Sequence, residues 1–568
     1  MKADLTRDTF RPFEHYDRVL MQQGRVQLDA DWNEQAAILL HYLRILAADL
    51  IGPAGGPKGN LGFGVSALVP ATTAADFQIG FGDYYVDGLL CQVDFIPIAI
   101  SVTSTANVFQ VMNWNSAFEM ATIPYFEVFD DTPGTTNQPV AVQISNPQKA
   151  SNQVTINPSV AGSSFSNFVN PKLRRWITYL HQPGFVFSTA QGAVSPPPLA
   201  NGFNQIYLDV WDRVITYAED DYIREVALGG PETAARSKRV WQVKAAQAAT
   251  ANGDNPGCIT IQQLYRQFQP ANRGWLQAMA KQSSPSTDPC IINPSASYTG
   301  PENQLYRVEI NRGGQAWDGV DPTNATAATF KWSRENGSVI FPIASPVTSG
   351  GGITTAVVES LGRDDRFGLT SGNLVEVQDD RTVLMNEAGA LLAVQGIDPS
   401  SLTVTLSGVS ADPAVGSDKT LHPLLRRWDQ TAGDPEEGGL TLANDNAAFV
   451  QEGKWLTLED GVQIRFQPAG GGAAGTPAAT SNQYRTADYW LIPARTATGD
   501  VEWPKVTGLD GNPETDAQGN PIPVALPPHG VNHHYAPLAV VSVGTGGVSV
   551  QSPDCRSSFS AAAGPVGP

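Results

Sequence analysis

The 568-residue sequence has few of the residues that most often carry catalysis or bind metals. It contains seven histidines and four cysteines, and Cys91, Cys258, Cys290 and Cys555 form no CxxC pair, so a structural zinc finger is not indicated. A phosphate-binding GxxxxGK[ST] loop, an HExxH motif, a GxSxG elbow and a GxGxxG turn are also missing. We therefore expect no cofactor, and a protein that is not an enzyme.

Charge is scarce and mostly of one sign. Charged residues are 16% of the chain, and 36 Lys and Arg face 55 Asp and Glu, which gives a net charge of −19. A negative field repels phosphate backbones and anionic lipid headgroups, so we predict no nucleic-acid partner. No stretch holds the roughly 18 apolar residues that span a bilayer, so we also predict no direct membrane insertion.

The start of the chain is charged and lacks the apolar core of a signal peptide. We therefore expect synthesis in the cytoplasm without a signal peptide. Release from the cell would then depend on another route, such as incorporation into a particle.

The residues that are abundant indicate a strand-rich chain. Hydrophobic residues make up 41% of it, and 54 Gly and 42 Pro provide many turns. Residues 206–211 and 304–310 alternate between apolar and polar side chains, which is typical of strands. The predicted fold is mainly β and multi-domain, with β-sandwich or barrel-like modules, an N-terminal arm with an amphipathic helix, and a smaller helical insertion.

Stretches rich in Pro, Gly and Ser divide the chain into five predicted units. These are an arm and docking helix (1–60), a β domain with inserted loops (61–200), a β-rich central domain with a helical insertion (201–345), one or more β domains with a Gly/Ala loop (346–505), and a Pro-rich C-terminal segment with a mobile tail (506–568).

Two regions have helical patterns. Leucines recur at helical spacing over 32–51, Asp31 and Glu34 suggest a capping-box start, and Gly52 with Pro53 ends the pattern. The preceding residues 19–28 are predicted to be a strand or an extended arm. Such a unit either docks on a neighbour or packs on its own domain. The second helical region covers 260–281, and Pro270 is expected to break it into two pieces.

Candidate sites are few. His529, His533 and His534 form the one histidine cluster and are the only metal-ligand candidates. Prolines on both sides favour a loop whose rings pack locally, so we predict no metal. Cys258 and Cys290 either form a disulfide or remain thiols, and free buried thiols are favoured in the cytoplasm.

Carboxylate pairs allow a glycosidase interpretation, because such enzymes use two acids. The pairs are Asp379 with Asp380, Glu459 with Asp460, Asp364 with Asp365 and Asp29 with Asp31. Adjacent residues on a strand point to opposite faces, so the doublets cannot converge unless they lie in turns. We therefore predict no catalytic residues.

The N-terminal sequence RVLMQQGRVQLDADWNEQ at 18–35 resembles the start of a bacterial family of unassigned function. Its members occur beside genes of phage-tail-like contractile injection systems. Further stretches that follow the family's pattern are REVALGGP at 224–231, FKWSRENGS at 330–338 and DYWLIPAR at 488–495. Residues from about 100 to 170 and the Gly/Ala loop near 470 do not follow it.

The resemblance implies a structural component of such a particle, at the baseplate or a peripheral, tail-fibre-associated position. The implied partners are other particle proteins and further copies of the chain, in a trimer or ring. We predict that Arg25, Trp32, Leu39 and Leu43 form the interface, with the first two as anchors. The alternatives are a fibre that binds a cell-surface glycan or receptor, and a delivered effector or cell-wall hydrolase that uses Asp379 or Glu459.

Overall fold

The computed structural model of the chain describes residues 3–68, 75–94, 97–105, 107–112, 125–160, 163–185, 196–248, 254–269, 272–281, 297–364, 366–410, 412–469, 481–517, 519–551 and 553–560. The part of the chain within these ranges contains three α-helices and many short strands. The predicted fold class, mainly β with several modules, is confirmed.

The strands of the N-terminal half are β1 (Ala54–Pro57), β2 (Val65–Ser66), β3 (Gln78–Ile79), β4 (Gly82–Val86), β5 (Leu89–Val93), β6 (Ile98–Val102), β7 (Val108–Val111), β8 (Phe126–Asp130), β9 (Val140–Gln148), β10 (Gln153–Pro158), β11 (Pro171–Arg175), β12 (Ile177–Thr178), β13 (Gly202–Ile215), β14 (Arg236–Gln247) and β15 (Leu276–Ala280). The strands that follow are β16 (Gln304–Arg312), β17 (Thr329–Ser333), β18 (Ile340–Pro342), β19 (Thr348–Gly350), β20 (Ile353–Val357), β21 (Leu374–Gln378), β22 (Ala390–Asp398), β23 (Thr403–Ser407), β24 (Leu424–Trp428), β25 (Ala448–Phe449), β26 (Leu456–Thr457), β27 (Val462–Phe466), β28 (Tyr489–Arg495), β29 (Asp500–Val501), β30 (His534–Gly544), β31 (Gly547–Gln551) and β32 (Ser558–Phe559).

The first helix, α1 (Asp29–Ile51), begins three residues before the predicted start. The Asp31 carboxylate accepts a hydrogen bond from the backbone N–H of Leu28 at 3.2 Å, so Asp31 lies in the first turn rather than before it. Glu34 accepts instead from the hydroxyl of Thr9 in the arm, at 2.5 Å. The described residues before α1 contain no strand, so residues 19–28 are an extended arm.

The second predicted helix was only half right. Helix α2 covers Ile261–Phe268 and is capped by Thr260, whose hydroxyl accepts from the N–H of Gln263. Residues 276–280 form strand β15, which pairs with β27. Leu276, Ala278 and Ala280 alternate into an apolar core, and this tertiary pairing outweighs their local helical preference. The third helix, α3, is Asp380–Leu384.

Four large apolar cores organise the strands. The sheets β32-β1-β4-β5, β12-β3-β2 and β14-β13-β30-β31 share the first core, and the closed barrel β10-β7-β6-β11-β8-β9 surrounds the second. The sheets β15-β27-β26 and β25-β17-β16-β28-β29 enclose the third core, and the seven-stranded sheet β18-β24-β21-β22-β23-β20-β19 carries the fourth.

The cores are nested along the chain. The barrel is inserted in the first core between β5 and β12, and the seven-stranded sheet is inserted in the third core between β17 and β25. The chain then returns to the first core, where β30 pairs antiparallel with β13 and β32 pairs parallel with β1. Both ends of the chain therefore build the same core.

Both alternatives for Cys258, the favoured free thiol and a bond to Cys290, are wrong. Cys258 is bonded to Cys555, 297 residues further along the chain. The pairing of β32 with β1 and a hydrogen bond from the N–H of Cys555 to the carbonyl of Leu538 (3.1 Å) bring the C-terminal segment back to this core. Cys290 lies outside the described residues. Cys91 is a buried free thiol, and burial raises its pKa to about 12.

The helices of the described segments include none that is both long and apolar enough to cross a membrane.

The Cys258–Cys555 bond should stabilise the first core, because it closes a 297-residue loop and so restricts the unfolded chain. We expect Cys258→Ser to lower the free energy of unfolding of this core by about 2–5 kcal/mol, seen as a lower midpoint in thermal denaturation. Cys555→Ser and the double variant should show the same decrease as the single variant. Unchanged midpoints, or a further decrease when reductant is added to the double variant, would contradict this assignment.

Candidate functional site

Strand β16 has an apolar face and a charged face, and both are buried. Tyr306, Val308 and Ile310 point into the third core, whereas Arg307 and Glu309 alternate onto the other side. That side packs against the inserted seven-stranded sheet, since Lys331 of the neighbouring strand β17 contacts Glu376 of β21.

Four buried charges join the two sheets, and we call Glu309, Lys331, Glu376 and Arg426 the charge quartet. Glu309 lies directly opposite Lys331 on the five-stranded sheet, and Glu376 lies opposite Arg426 on the seven-stranded sheet. Lys331 Nζ is 3.5 Å from Glu309 Oε1 and 2.7 Å from Glu376 Oε1. Arg426 Nη1 is 3.6 Å from Glu309 Oε1. Lys331 thus pairs with a carboxylate of each sheet, and Arg426 reaches across the junction to Glu309.

Neutral groups complete the surroundings of the quartet. Glu376 accepts from the backbone N–H of Gly389 and from the indole N–H of Trp428, both at 2.8 Å. Arg426 Nε donates to the carbonyl of Gly337 at 2.7 Å, and its guanidinium lies 4.4 Å from the Trp428 ring centroid. These contacts offset the cost of removing the charges from water.

Arg307 is a fifth charge beside the quartet. Its Nε donates to Glu309 Oε2 at 2.6 Å, and its guanidinium lies 3.6 Å from the ring centroid of Tyr489. Burial by itself raises the pKa of Glu309, but the attraction of Arg307, Arg426 and Lys331 outweighs burial and holds that pKa well below its ordinary value. Glu309 is therefore ionised at neutral pH.

A cavity of about 220 Å³ adjoins this cluster. Three structural units meet around it: the five-stranded sheet contributes Arg307 and Lys331, the seven-stranded sheet with α3 contributes Gln378 and Val383, and strand β13 contributes Trp211. Small-molecule sites form preferentially at such junctions between modules. The charge quartet and this cavity together are the candidate functional site.

The three histidines that the sequence offers as metal ligands bind three different partners. His533 Nδ1 lies 2.6 Å from Asp209 Oδ1, and His534 Nδ1 lies 2.9 Å from Asp87 Oδ2. The ring of His529 stacks on Tyr489 with centroids 5.6 Å apart. His533 and His534 are consecutive in an extended segment, which directs their rings to opposite sides. The structure, over the ranges it describes, brings no three potential metal ligands together.

The candidate catalytic acids have structural partners. Asp379 is buried and accepts from the backbone N–H groups of Arg381 (3.0 Å) and Gly416 (3.0 Å), so it caps α3. Glu459 accepts two hydrogen bonds from Arg334, at 2.9 and 2.7 Å. Burial raises the pKa of both carboxyl groups, against the lowering effect of these donors.

Asp380 forms ion pairs with Arg213 and His422, and its predicted partner Asp379 is turned into the cap of α3. Asp29 and Asp31 lie together in the first turn of α1. Asp365 lies outside the described residues.

The predicted interface residues lie on the surface. Trp32, Leu39, Leu43, Leu46 and Leu50 are 63%, 54%, 61%, 56% and 77% exposed, and we call these five residues the α1 seam. They follow one another at intervals of 7, 4, 3 and 4 residues, so they project within about 60° of one another around the helix. Arg25 lies in the exposed arm.

Helix α1 contacts its own domain through the opposite side. Ala30 and Ile38 are its buried residues, and Arg44 Nη2 bonds to Asp212 Oδ2 at 2.6 Å. The arm lies along the helix, where the N–H of Val19 donates to Gln35 Oε1 at 2.9 Å. Neither the ion pair of Arg44 with Asp212 nor the hydrogen bond between Val19 and Gln35 involves a residue of the seam.

Sequence reasoning missed the charge quartet and the cavity. A local signal was present, because Arg307 and Glu309 alternate with apolar residues in β16, Lys331 stands between Phe330 and Trp332, and Glu376 stands between two valines. Charges within such apolar runs indicate a strand buried on both faces. The pairing of these charges could not be derived from the sequence, because Glu309 and Lys331 lie on one sheet whereas Glu376 and Arg426 lie on another.

The fold and the site define a nested, multi-module β protein with a charged junction between two of its sheets. The chain belongs to the family described as "Family of unknown function (DUF6519)", which matches residues 1–131, 175–255 and 245–563. No curated protein and no solved structure matches the chain. The family match omits residues 132–174, which overlap the stretch from about 100 to 170 that departs from the family's pattern in the sequence, and it includes residues 100–131.

Glu309 should be essential for joining the two sheets, because Glu309→Gln leaves three buried cations with one carboxylate fewer. We expect this variant to lower the free energy of unfolding by about 3–5 kcal/mol, measured as a decrease in the thermal midpoint. Asp221→Asn is the matched control, since Asp221 forms an exposed ion pair with Arg224 and its loss should leave the midpoint nearly unchanged. Equal midpoints for Glu309→Gln and the native chain would refute the assigned role.

The stability that Glu309 contributes should depend on pH. Its pKa is lower in the folded chain than in the unfolded chain, so the contribution is complete above the unfolded pKa and is lost as pH falls through the folded pKa. Thermal midpoints of the native chain and of Glu309→Gln, measured from neutral pH into the acid range, should therefore converge as the pH falls. A difference that stays constant or grows on acidification would contradict this prediction.

Proposed function

We propose that this protein is a structural component of a phage-tail-like contractile injection particle, at the baseplate or a peripheral position. It acts by docking on neighbouring subunits through the α1 seam and the arm before it. The observation that carries the proposal is the seam itself, five large apolar side chains in one row on the side of α1 that faces away from its own domain.

The spacing of the seam favours a helical partner. Apolar residues at intervals of 3 and 4 form the contact line of helices that pack side by side, with an average repeat close to 3.5 residues. Fully covering an exposed leucine side chain contributes about 1.5–3 kcal/mol, so covering the exposed half or more of four leucines and Trp32 provides enough free energy for a stable contact. A solitary chain would have to leave this surface in water.

The arm extends the same surface. Phe13, Leu20 and Val26 are exposed apolar residues within it, and Arg25 lies next to Val26. Arginine and aromatic residues are enriched among the side chains that dominate interfaces. Together with the seam they suit a neighbour that contacts the arm and the helix at once, as the subunits of a symmetric trimer or ring do.

The assignment to a contractile injection particle rests on a separate ground, the resemblance of the motif at residues 18–35. Residues 18–28 of the arm and the start of α1 lie within that motif. The proposal thus gives the motif a physical role, because the same residues provide the docking surface.

Replacing two seam leucines by charged residues should abolish docking without unfolding the chain. We expect Leu39→Asp with Leu43→Asp to reduce co-sedimentation with purified particles, and the self-association of the isolated chain, by at least about tenfold. The thermal midpoint should hardly change, because both side chains are exposed.

Tyr222→Asp with Val226→Asp is the matched control, since it charges two exposed apolar residues outside the seam. Sedimentation velocity and particle co-sedimentation should be unaffected by it. The proposal fails if the seam variant still sediments with the particle, or if the native chain is a monomer that binds no particle protein.

A further inference from the structure

We propose that the bond between Cys258 and Cys555 is a redox latch. Reduction of this bond frees the C-terminal segment 553–560, which we call the strap, whereas the rest of the first core keeps its fold. The inference is independent of the proposed docking, because no residue of the α1 seam takes part in the latch. It follows from how differently the two cysteines are held.

Cys258 lies on a firmly held support. The side chain of the buried Gln205 in β13 donates to the carbonyl of Gly257 at 2.6 Å and accepts from the N–H of Ile259 at 3.2 Å. Helix α2 follows directly, and its fully buried Leu264 packs against the sheet of β13 and β30. None of these contacts involves the sulfur, so Cys258 stays in place when the bond is reduced.

Cys555 lies on a segment that buries almost no apolar surface. None of residues 553–560 is buried, and Phe559 is their one large apolar side chain. Strand β32 pairs with β1 over only two residues. Apolar burial is the main favourable contribution to folding, so the strap has little of it to hold it closed.

The strap is also held by hydrogen bonds that water can replace. The N–H of Ser557 donates to the hydroxyl of Tyr84 at 3.2 Å. The guanidinium of Arg556 donates to the carbonyls of Leu61 at 3.2 Å and Gly62 at 2.7 Å. Opening exchanges these bonds for bonds to water, so their net contribution is small. The covalent bond is therefore the main restraint on the strap.

A thiol reductant can reach the bond in the folded chain, because both cysteines are partly exposed. The thiolate of a small thiol such as glutathione attacks one sulfur, forms a mixed disulfide and releases the other cysteine. A second glutathione then displaces the first. The S–S bond of the protein breaks, each cysteine takes up a proton that a glutathione has lost, and the two glutathione molecules leave as their own disulfide.

The latch makes the edge of β1 respond to the surroundings. In the closed state the N–H groups of Gly56 and Lys58 donate to the strap carbonyls of Ser557 and Phe559, at 3.1 and 2.8 Å. Opening the strap releases both donors and leaves the edge of the strand unpaired. The edge is thus uncovered in a reducing compartment and covered in an oxidising one.

Limited digestion of the complete chain with trypsin tests the opening, because Arg556 is a cleavage site within the strap. We expect cleavage after Arg556, read by mass spectrometry, to be at least about tenfold faster in millimolar reduced glutathione than in the oxidised chain. Cleavage after Arg25 in the exposed arm should be equal in both states and is the internal control. Reoxidation should restore the protection of Arg556.

Hydrogen exchange shows whether the opening is local. After reduction the amides of Gly56 and Lys58 should exchange at least about tenfold faster than in the oxidised chain. The amides of β13, which lies in the same core, should remain protected over the labelling time in which these two exchange.

Two variants locate the latch. Cys555→Ser should be cleaved after Arg556 as fast as the reduced native chain, and glutathione should not accelerate this cleavage further. Cys290→Ser is the matched control, since it removes a thiol but leaves the Cys258–Cys555 bond intact. It should respond to glutathione as the native chain does.

The proposal is overturned by any of three results. The first is a bond that millimolar glutathione leaves intact, which would make it a permanent part of the core. The second is a reduced chain in which Arg556 stays protected from trypsin and the amides of Gly56 and Lys58 stay protected from exchange. The third is loss of protection in β13 together with the strap, which would mean that the whole core unfolds. These measurements use the native chain, so they decide the matter even if Cys555→Ser does not fold.

Discussion

The junction between two sheets depends on the attraction among four buried charges. Glu309 and Lys331 face Glu376 and Arg426, and no charge of the quartet could remain buried without its opposite. Lys331 reaches Glu376 only when both cross-strand registers are in place, so the quartet requires the correct pairing within each sheet and the correct docking between them. An apolar junction would tolerate sliding by two residues, whereas these ion pairs would not.

The nested order of the cores explains why such a junction is needed. The seven-stranded sheet is inserted between β17 and β25 and has its own apolar core, so its orientation is fixed by the surfaces that it shares with the third core and, through α3, with strands β13 and β14. The first core is closed differently, by strands from both ends of the chain and by the Cys258–Cys555 bond. In the barrel, β9 and β10 lie wholly within residues 132–174, which the family match omits, so this module departs most from the family.

The two features to which we assign roles lie in different physical environments. The α1 seam is apolar and exposed, and the free energy available there comes from removing its surface from water. The charge quartet is polar and buried between two sheets, and its contribution comes from the attraction among its own charges. The seam therefore suits a protein partner, whereas the quartet holds two sheets of the same chain together.

The sequence by itself determined the features that depend on neighbouring residues. Alternation indicated a mainly β fold, and helical spacing placed Trp32, Leu39 and Leu43 on one helix to within three residues of its start. Only the tertiary structure decided that residues 276–280 form a strand, that Cys555 is the partner of Cys258, and which charges pair around Glu309. The reason is physical: periodicity reports the local backbone geometry, whereas these contacts join residues tens to hundreds of positions apart, whose meeting depends on the order and register of the sheets.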